Sequence, residues 1–264
     1  MKILFLGYGN MGRAMGDAWK ASPDVSEVLA IDPVVQGRDG VFATMGDFTR
    51  SHSAAEVGLV VLAVKPAMAG AVLKALPVEF SKAALLSVAA GVTIDVLATA
   101  APPGMAVLRA MPNTPAMLRA GCTGVFASPQ CSVQVRAQIE QLLAAVGAVH
   151  WLDSEAQIDM VTAVSGSGPA YYHLFSEALA DAGVSAGLPA ELARSLAAAT
   201  AWGAAHQQHQ PDADFAALRK AVTSPNGTTA AAIAVFEESG ALRALVTHAV
   251  ASAWQRAIEL SRPT

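Results

Sequence analysis

Lys2-Ile3-Leu4-Phe5-Leu6-Gly7-Tyr8-Gly9-Asn10-Met11-Gly12 joins a short apolar run to a G-x-G-x-x-G turn, and a helical pattern from Arg13 to Lys20 follows at once. An apolar run this short, with a turn behind it, suits a strand buried on both faces. A glycine turn between such a strand and a helix is the context of a dinucleotide-binding loop. Gly7 permits the tight turn, Gly9 lets a pyrophosphate approach the backbone, and Gly12 lets the helix pack on the sheet.

Downstream, Glu27-Val28-Leu29-Ala30-Ile31-Asp32 reads as a second strand ending in an acid, 20 residues after Gly12. A carboxylate there would accept hydrogen bonds from the adenosine ribose of NAD and repel the 2′-phosphate of NADP. Arg38 and Arg50 stand close enough in sequence to pair with that phosphate instead, so NADH and NADPH both stay open. Further short apolar runs lie at residues 41–44, 59–64, 84–89 and 107–111, with residues 148–152 as a closing strand. Strands alternating with helical segments imply a parallel, doubly wound sheet whose ligand lies beyond the carboxyl ends of the strands. The loops leaving those ends carry Ala63-Val64-Lys65-Pro66, Val88-Ala89-Ala90-Gly91 and Met111-Pro112-Asn113-Thr114-Pro115. Lys65 is either an ammonium for the cofactor ribose or a solvated loop lysine. Asn113 is either an amide that meets a nicotinamide carboxamide or a plain turn asparagine.

Helical patterning covers Ser132 to Val146, and after Glu155 the strand signals stop. The domain boundary is therefore expected near residue 153, with residues 1–153 a Rossmann-like domain and 154–264 all helical. In the second half, Ser165-Gly166-Ser167-Gly168-Pro169-Ala170-Tyr171 opens one helix and Pro189 another. The helix from Ala190 to Ala205 is apolar nearly all round, which calls for a second subunit to bury it. A mostly apolar stripe from Leu242 to Ile258 forms the last helix. Ser224-Pro225-Asn226-Gly227-Thr228-Thr229 then reads as a tight turn into a helix start. There the backbone N–H groups of Gly227, Thr228 and Thr229, with the helix dipole, suit a carboxylate, the alternative being an ordinary turn with a threonine cap.

Composition narrows the functional classes. The chain has 264 residues, 53% of them hydrophobic, and a formal net charge of −4; its mean hydropathy is +0.42. It shows no Lys/Arg cluster, so no nucleic-acid partner is expected, because counterion release needs several cations on one surface. No apolar run reaches 18 residues without a charge or a Gly/Pro break, and the N-terminus begins with a strand pattern. The expectation is a soluble, cytoplasmic protein with a small-molecule substrate and no membrane partner. Cys122 and Cys131 lack a C-x-x-C spacing, and the six histidines are scattered without H-E-x-x-H. With no G-x-S-x-G elbow either, neither metal nor acyl-transfer chemistry is supported.

Gly-Tyr-Gly-Asn-Met-Gly, Ala-Val-Lys-Pro, Ala-Ala-Gly-Val, Met-Pro-Asn-Thr-Pro, Ser-Gly-Ser-Gly-Pro-Ala-Tyr and Thr-Ser-Pro-Asn-Gly-Thr-Thr stand in one order along the chain. In this the sequence resembles the pyrroline-5-carboxylate reductases, from residue 3 to about 260. The resemblance implies NAD(P)H-dependent reduction of 1-pyrroline-5-carboxylate to L-proline by a Rossmann domain and a helical dimerisation domain. It also implies a homodimer that assembles further, commonly to a decamer. Residues Gly7, Tyr8, Gly9, Asn10, Met11 and Gly12, Ala63 to Pro66, and Val88 to Ala90 would hold the dinucleotide. Asn113 and Glu155 would lie near the nicotinamide, and Thr228 and Thr229 would hold the substrate, Thr229 hydrogen-bonded to the ring nitrogen. Asn226 stands where the family usually has glycine, and the segment 209–215 is longer than usual, which leaves its substrate-facing acid unassigned. The competing readings are a β-hydroxyacid or 6-phosphogluconate-type dehydrogenase, and a dinucleotide-sensing protein without turnover. The first needs a general base, usually a lysine early in the helical domain, and residues 155–180 contain none.

Overall fold

The computed structural model describes residues 1–35 and 37–261. Its contacts divide the chain into two compact units: Met1–Ser167 with the chain from Ala253 on, and Gly168–Ser252.

The first unit is built on a sheet of eight strands among the described residues, in the order β3-β2-β1-β4-β5-β6-β7-β8. The strands are β1 (Lys2–Leu6), β2 (Glu27–Ile31), β3 (Val41–Phe42), β4 (Val57–Leu62), β5 (Ala84–Ser87), β6 (Ala106–Met111), β7 (Gly121–Ala127) and β8 (Gly147–Trp151). From β3 to β6 every pairing is parallel. Helices α1 (Asn10–Trp19), α2 (Met45–Thr49), α3 (Ala69–Lys74), α4 (Ile94–Ala100) and α5 (Val133–Ala144) lie between strands, and α6 (Gln157–Val161) follows β8.

β1 shows why an uninterrupted apolar run makes a central strand. Successive side chains point to opposite faces, so Leu4 and Leu6 enter one buried cluster with Leu62, Leu85 and Leu97. Ile3 and Phe5 enter the other with Trp19, Val61, Leu86 and Leu143. A strand covered on both faces has no polar side to show. Across the second cluster the buried Trp19 donates its indole N–H to the Leu142 carbonyl at 2.6 Å, joining α1 to α5.

Three local expectations change. The strand foreseen over 41–44 is only Val41–Phe42, because Thr44 is the N-cap of α2, in a reciprocal capping box with Asp47. β7 was not foreseen and runs antiparallel to β6. Its sequence, Gly-Cys-Thr-Gly-Val-Phe-Ala, breaks the apolar run with two glycines and a threonine. The helical chain expected after Glu155 begins as α6 followed by a π-helical turn at Thr162–Gly166, which takes up the start of the Ser-Gly-Ser-Gly-Pro stretch.

The second unit contains α7 (Gly168–Ser185), α8 (Ala190–Gln208), α9 (Phe215–Ala221) and α10 (Thr228–Glu237); α11 (Ala241–Ser261) starts there and ends in the first unit. α7 and α8 pack on each other with small residues between them, so a Cβ on Gly183 would lie 3.3 Å from the Ala193 methyl. Glu237 accepts hydrogen bonds from Arg219 at 2.9 Å and from Arg243 at 2.7 Å, tying α9, α10 and α11. Large apolar side chains stay uncovered within the protomer, among them Tyr172, Leu192, Leu196, Trp202, Val235 and Leu245. Of α8 only Ala193 and Ala197 are buried.

Candidate functional site

The parallel register aligns the strand ends. Leu6 lies opposite Ile31 and Leu62, Leu62 opposite Ser87, and Ser87 opposite Arg109. The residues that follow therefore leave one edge of the sheet side by side. Backbone bonds hold them there: Gly7 N–H to Ile31 O at 2.9 Å, Ala63 N–H to Leu6 O at 2.8 Å, and Val88 N–H to Leu62 O at 3.0 Å. The strand order reverses between β1 and β4, the topological switch point where open α/β sheets bind ligands.

Each glycine of the loop has a distinct environment. Gly7 has φ +89°, and a Cβ on it would lie 2.7 Å from the Ala63 carbonyl oxygen. On Gly12 a Cβ would lie 2.8 Å from Gly7 O. A Cβ on Gly9 would meet nothing within 4 Å among the described residues. Two glycines are thus demanded by the protein's own packing, while the middle one faces open space beside the N-terminus of α1, as a pyrophosphate requires. This cradle fits a dinucleotide. Asn10 and Met11 form the first turn of α1, and Tyr8 is buried with its hydroxyl donating to Asp17 at 3.2 Å. Burial, and then the Asp17 carboxylate, push the Tyr8 phenol far above its ordinary value, so it stays a neutral donor.

Asp32 lies at the head of β2. Its Oδ2 accepts the Tyr8 N–H at 2.7 Å and its Oδ1 accepts the Val34 N–H at 2.9 Å. Partial burial pushes its carboxyl up, but the N–H bonds from Tyr8, Val34 and Val35 outweigh this and hold it below the ordinary range. Arg38 and Arg50, the sequence's other candidates for this corner, are engaged elsewhere. Arg38 pairs with Asp17 at 2.5 Å and lies over the Tyr8 ring; Arg50 pairs with Asp47.

Beyond β4, Val64 is half-buried, Lys65 is exposed, and Pro66 starts a 3-10 turn that Lys65 precedes as N-cap. Beyond β5, Ala89 is buried and donates its N–H to Ser87 Oγ at 3.3 Å, while Val88 and Ala90 are partly exposed. A Cβ on Gly91 would lie 2.6 Å from Leu260 O, so the end of α11 closes on this loop. Asn113 is buried, and both ends of its amide are used: Nδ2 donates to Ser165 O at 3.0 Å, and Oδ1 accepts the Cys122 N–H at 2.8 Å. It therefore joins the end of β6 to β7 and to the π-helical turn.

Glu155 is tied to one strand and one helix of the first unit. Its Oε1 accepts from Arg109 Nη1 at 2.6 Å and from the Ile94 N–H, at the start of α4, at 2.7 Å. Arg109 was missed from the sequence; the available signal was a lone charge inside the apolar run of β6, where only a buried partner could hold it.

In the second unit the substrate candidates stand as a helix start. Asn226 is left-handed at φ 60°, whereas Gly227 is extended at φ −84° and ψ 170° and caps α10. Of the two residues, only Asn226 uses positive φ. Gly227 serves for closeness, since a Cβ there would lie 3.1 Å from Ser224 O. Its N–H is also spent within the turn, on Ser224 O at 3.0 Å. The first bond inside the helix runs from Ala231 N–H to Gly227 O, so the N–H groups of Thr228 and Thr229 precede it. In the segment 209–215, Asp214 is committed as the N-cap of α9, accepting from Ala216 and Ala217.

Among the described residues no helix is long and apolar enough to cross a membrane. Residues 155–260 match the family described as pyrroline-5-carboxylate reductase dimerisation, and residues 2–91 match NADP oxidoreductase coenzyme F420-dependent. The chain is similar to the pyrroline-5-carboxylate reductase of Pseudomonas aeruginosa, 42% identical over 98% of this chain and 97% of that protein. To that of Escherichia coli it is 34% identical, over 99% and 98%. Among solved structures, that of the Coxiella burnetii enzyme aligns with TM-score 0.86 at 35% identity, covering 99% of this chain and 98% of the other. The Plasmodium falciparum pyrroline carboxylate reductase, solved with NADP bound, aligns with TM-score 0.86 at 26% identity over the same shares.

Proposed function

The chain belongs to the pyrroline-5-carboxylate reductase family, and from that premise we infer that it is an NAD(P)H-dependent reductase converting 1-pyrroline-5-carboxylate to L-proline. The observation that carries the reading is the row of strand-end loops at Gly7, Asp32, Ala63 and Val88, with Gly9 open in their midst.

When bound, NAD(P)H supplies a hydride for the imine carbon of the pyrroline. The work left to the protein is positioning and the exclusion of water, because a protonated imine is already electrophilic. Gly7 to Gly12 hold the pyrophosphate on the start of α1. Ala63 to Pro66 and Val88 to Ala90 hold the nicotinamide half, with Asn113 and Glu155 keeping the adjoining loops in place. The N–H groups of Thr228 and Thr229 receive the substrate carboxylate at the start of α10, and the Thr229 hydroxyl bonds the ring nitrogen. No strong acid or base is required, in keeping with a helical half whose only lysine is Lys220.

Residues 1–153 serve the dinucleotide and residues 154–264 serve substrate and assembly. The protomers pair through the helical half, whose uncovered apolar side chains call for a partner surface. Within the same proposal the dimers gather into a decamer, and the reaction proceeds in the cytoplasm. The test is the loss of NAD(P)H absorbance on adding pyrroline-5-carboxylate, with proline measured as product. Oxidation of the dinucleotide without proline, or no oxidation at all, would overturn the assignment.

A further inference from the structure

We propose that Asp32 makes this enzyme discriminate for NADH against NADPH, an inference resting on the dinucleotide-binding role assigned above. Three observations carry it. First, Asp32 directly follows the last residue of β2, and its backbone N–H is bonded to Phe42 O at 2.9 Å. It thus stands at the strand end where a Rossmann fold reads the adenosine ribose.

Second, the carboxylate is held in place. The Tyr8 N–H binds Oδ2 at 2.7 Å, and the Val34 and Val35 N–H groups bind Oδ1 at 2.9 and 3.3 Å. These donors stabilise the ionised form, and they leave lone-pair capacity on an acceptor-only group. A ribose 2′-hydroxyl can donate to that oxygen. A 2′-phosphate cannot, and it brings a second negative charge against a carboxylate that cannot swing away.

Third, the cations that would offset the phosphate are already engaged. Both carboxylate oxygens of Asp17 bind Arg38 Nη2, at 2.5 and 2.6 Å, and the Arg38 guanidinium carbon lies 5.4 Å from the centre of the Tyr8 ring. Arg13 donates to Asn10 Oδ1 at 2.9 Å, and Arg50 pairs with Asp47. Recruiting Arg38 would break an ion pair and a ring contact together.

The experiment titrates NADH and NADPH separately into the full-length protein without substrate, reading nicotinamide fluorescence. The dissociation constant of the wild type is expected to be about tenfold or more higher for NADPH, the gap narrowing as added salt screens the repulsion. Asp32→Ser should bring the ratio close to one, mainly by tightening NADPH. Arg38→Ala should leave the ratio unchanged. Equal wild-type dissociation constants, tighter NADPH binding, or a selective loss of NADPH in Arg38→Ala would each overturn the proposal, and the wild-type ratio needs no variant to fold. Turnover of pyrroline-5-carboxylate is followed in parallel. Its absence with both dinucleotides would remove the reductase reading and this one with it, whereas equal binding alongside intact turnover removes only the role of Asp32.

Discussion

Arg109 on β6 donates Nη1 to Glu155 at 2.6 Å, and the same carboxylate oxygen accepts the Ile94 N–H, so one acid pins a central strand and the start of α4. Arg109 is 3% exposed, and its Nη2 is buried with no hydrogen-bond partner among the described residues. The pair is therefore an arginine already short of donor satisfaction, held by one carboxylate.

Removing that carboxylate leaves a buried charge alone. Glu155→Ala is expected to lower stability by about 3 kcal/mol, since breaking a buried pair from one side exposes the full desolvation cost. Arg109→Met, which removes the charge and keeps the volume, should cost less. Urea denaturation of the two variants gives the comparison; equal losses would mean that packing, and not charge, sets the cost.

The glycine loop separates fold from binding. Gly7→Ala forces a left-handed residue and a Cβ 2.7 Å from Ala63 O, so both stability and dinucleotide affinity should fall. Gly9→Ala meets nothing within 4 Å and should fold as the wild type while binding the dinucleotide at least about tenfold more weakly, because the methyl occupies the pyrophosphate's approach. Thermal melts beside fluorescence titrations would check both.

Acid should loosen the same corner. The Asp32 carboxyl titrates below its ordinary value of 3.8 in the folded protein, so its contribution is complete above the unfolded value and is lost as the pH falls through the lowered folded one. Stability of the wild type should drop more steeply below about pH 4 than that of Asp32→Asn, which has no proton to take up there. Denaturation curves between pH 6 and 3 on both proteins would show the two profiles converging; parallel profiles would contradict the assignment.

Thr229→Ala should lower kcat about 10- to 100-fold, the range for losing one hydrogen bond to a charged reacting group. NAD(P)H binding should be untouched, because the change is confined to the first turn of α10. Thr229→Ser, which keeps the hydroxyl, should recover most of the rate. Steady-state kinetics with a dinucleotide titration distinguishes this from a folding defect.

Much of this protein was legible in its residues because the features concerned are local. A run such as Ile3 to Leu6 can bury itself only as a strand between two layers. The spacing Gly7, Gly9, Gly12 specifies a turn whose geometry depends on the absence of side chains there. The break from strand to helix patterning after residue 153 likewise lies in the order of residue types. Other features depend on partners far away in sequence. Arg109 and Glu155 are 46 residues apart, Asn113 and Ser165 are 52 apart, and Arg38 is 21 from Asp17. No periodicity reports such pairs, since a buried charge or amide takes whichever partner the completed sheet brings within reach. β7 is of the same kind: its glycines and threonine hide it from an apolar count, and pairing with β6 on one side and β8 on the other makes it a strand. The sequence by itself determined the Rossmann scaffold and the order of its loops. Tertiary structure decided which polar groups in those loops are spent on the protein, as at Asn113, and left the space at Gly9 open, because hydrogen-bond satisfaction belongs to the assembled core and not to any one segment.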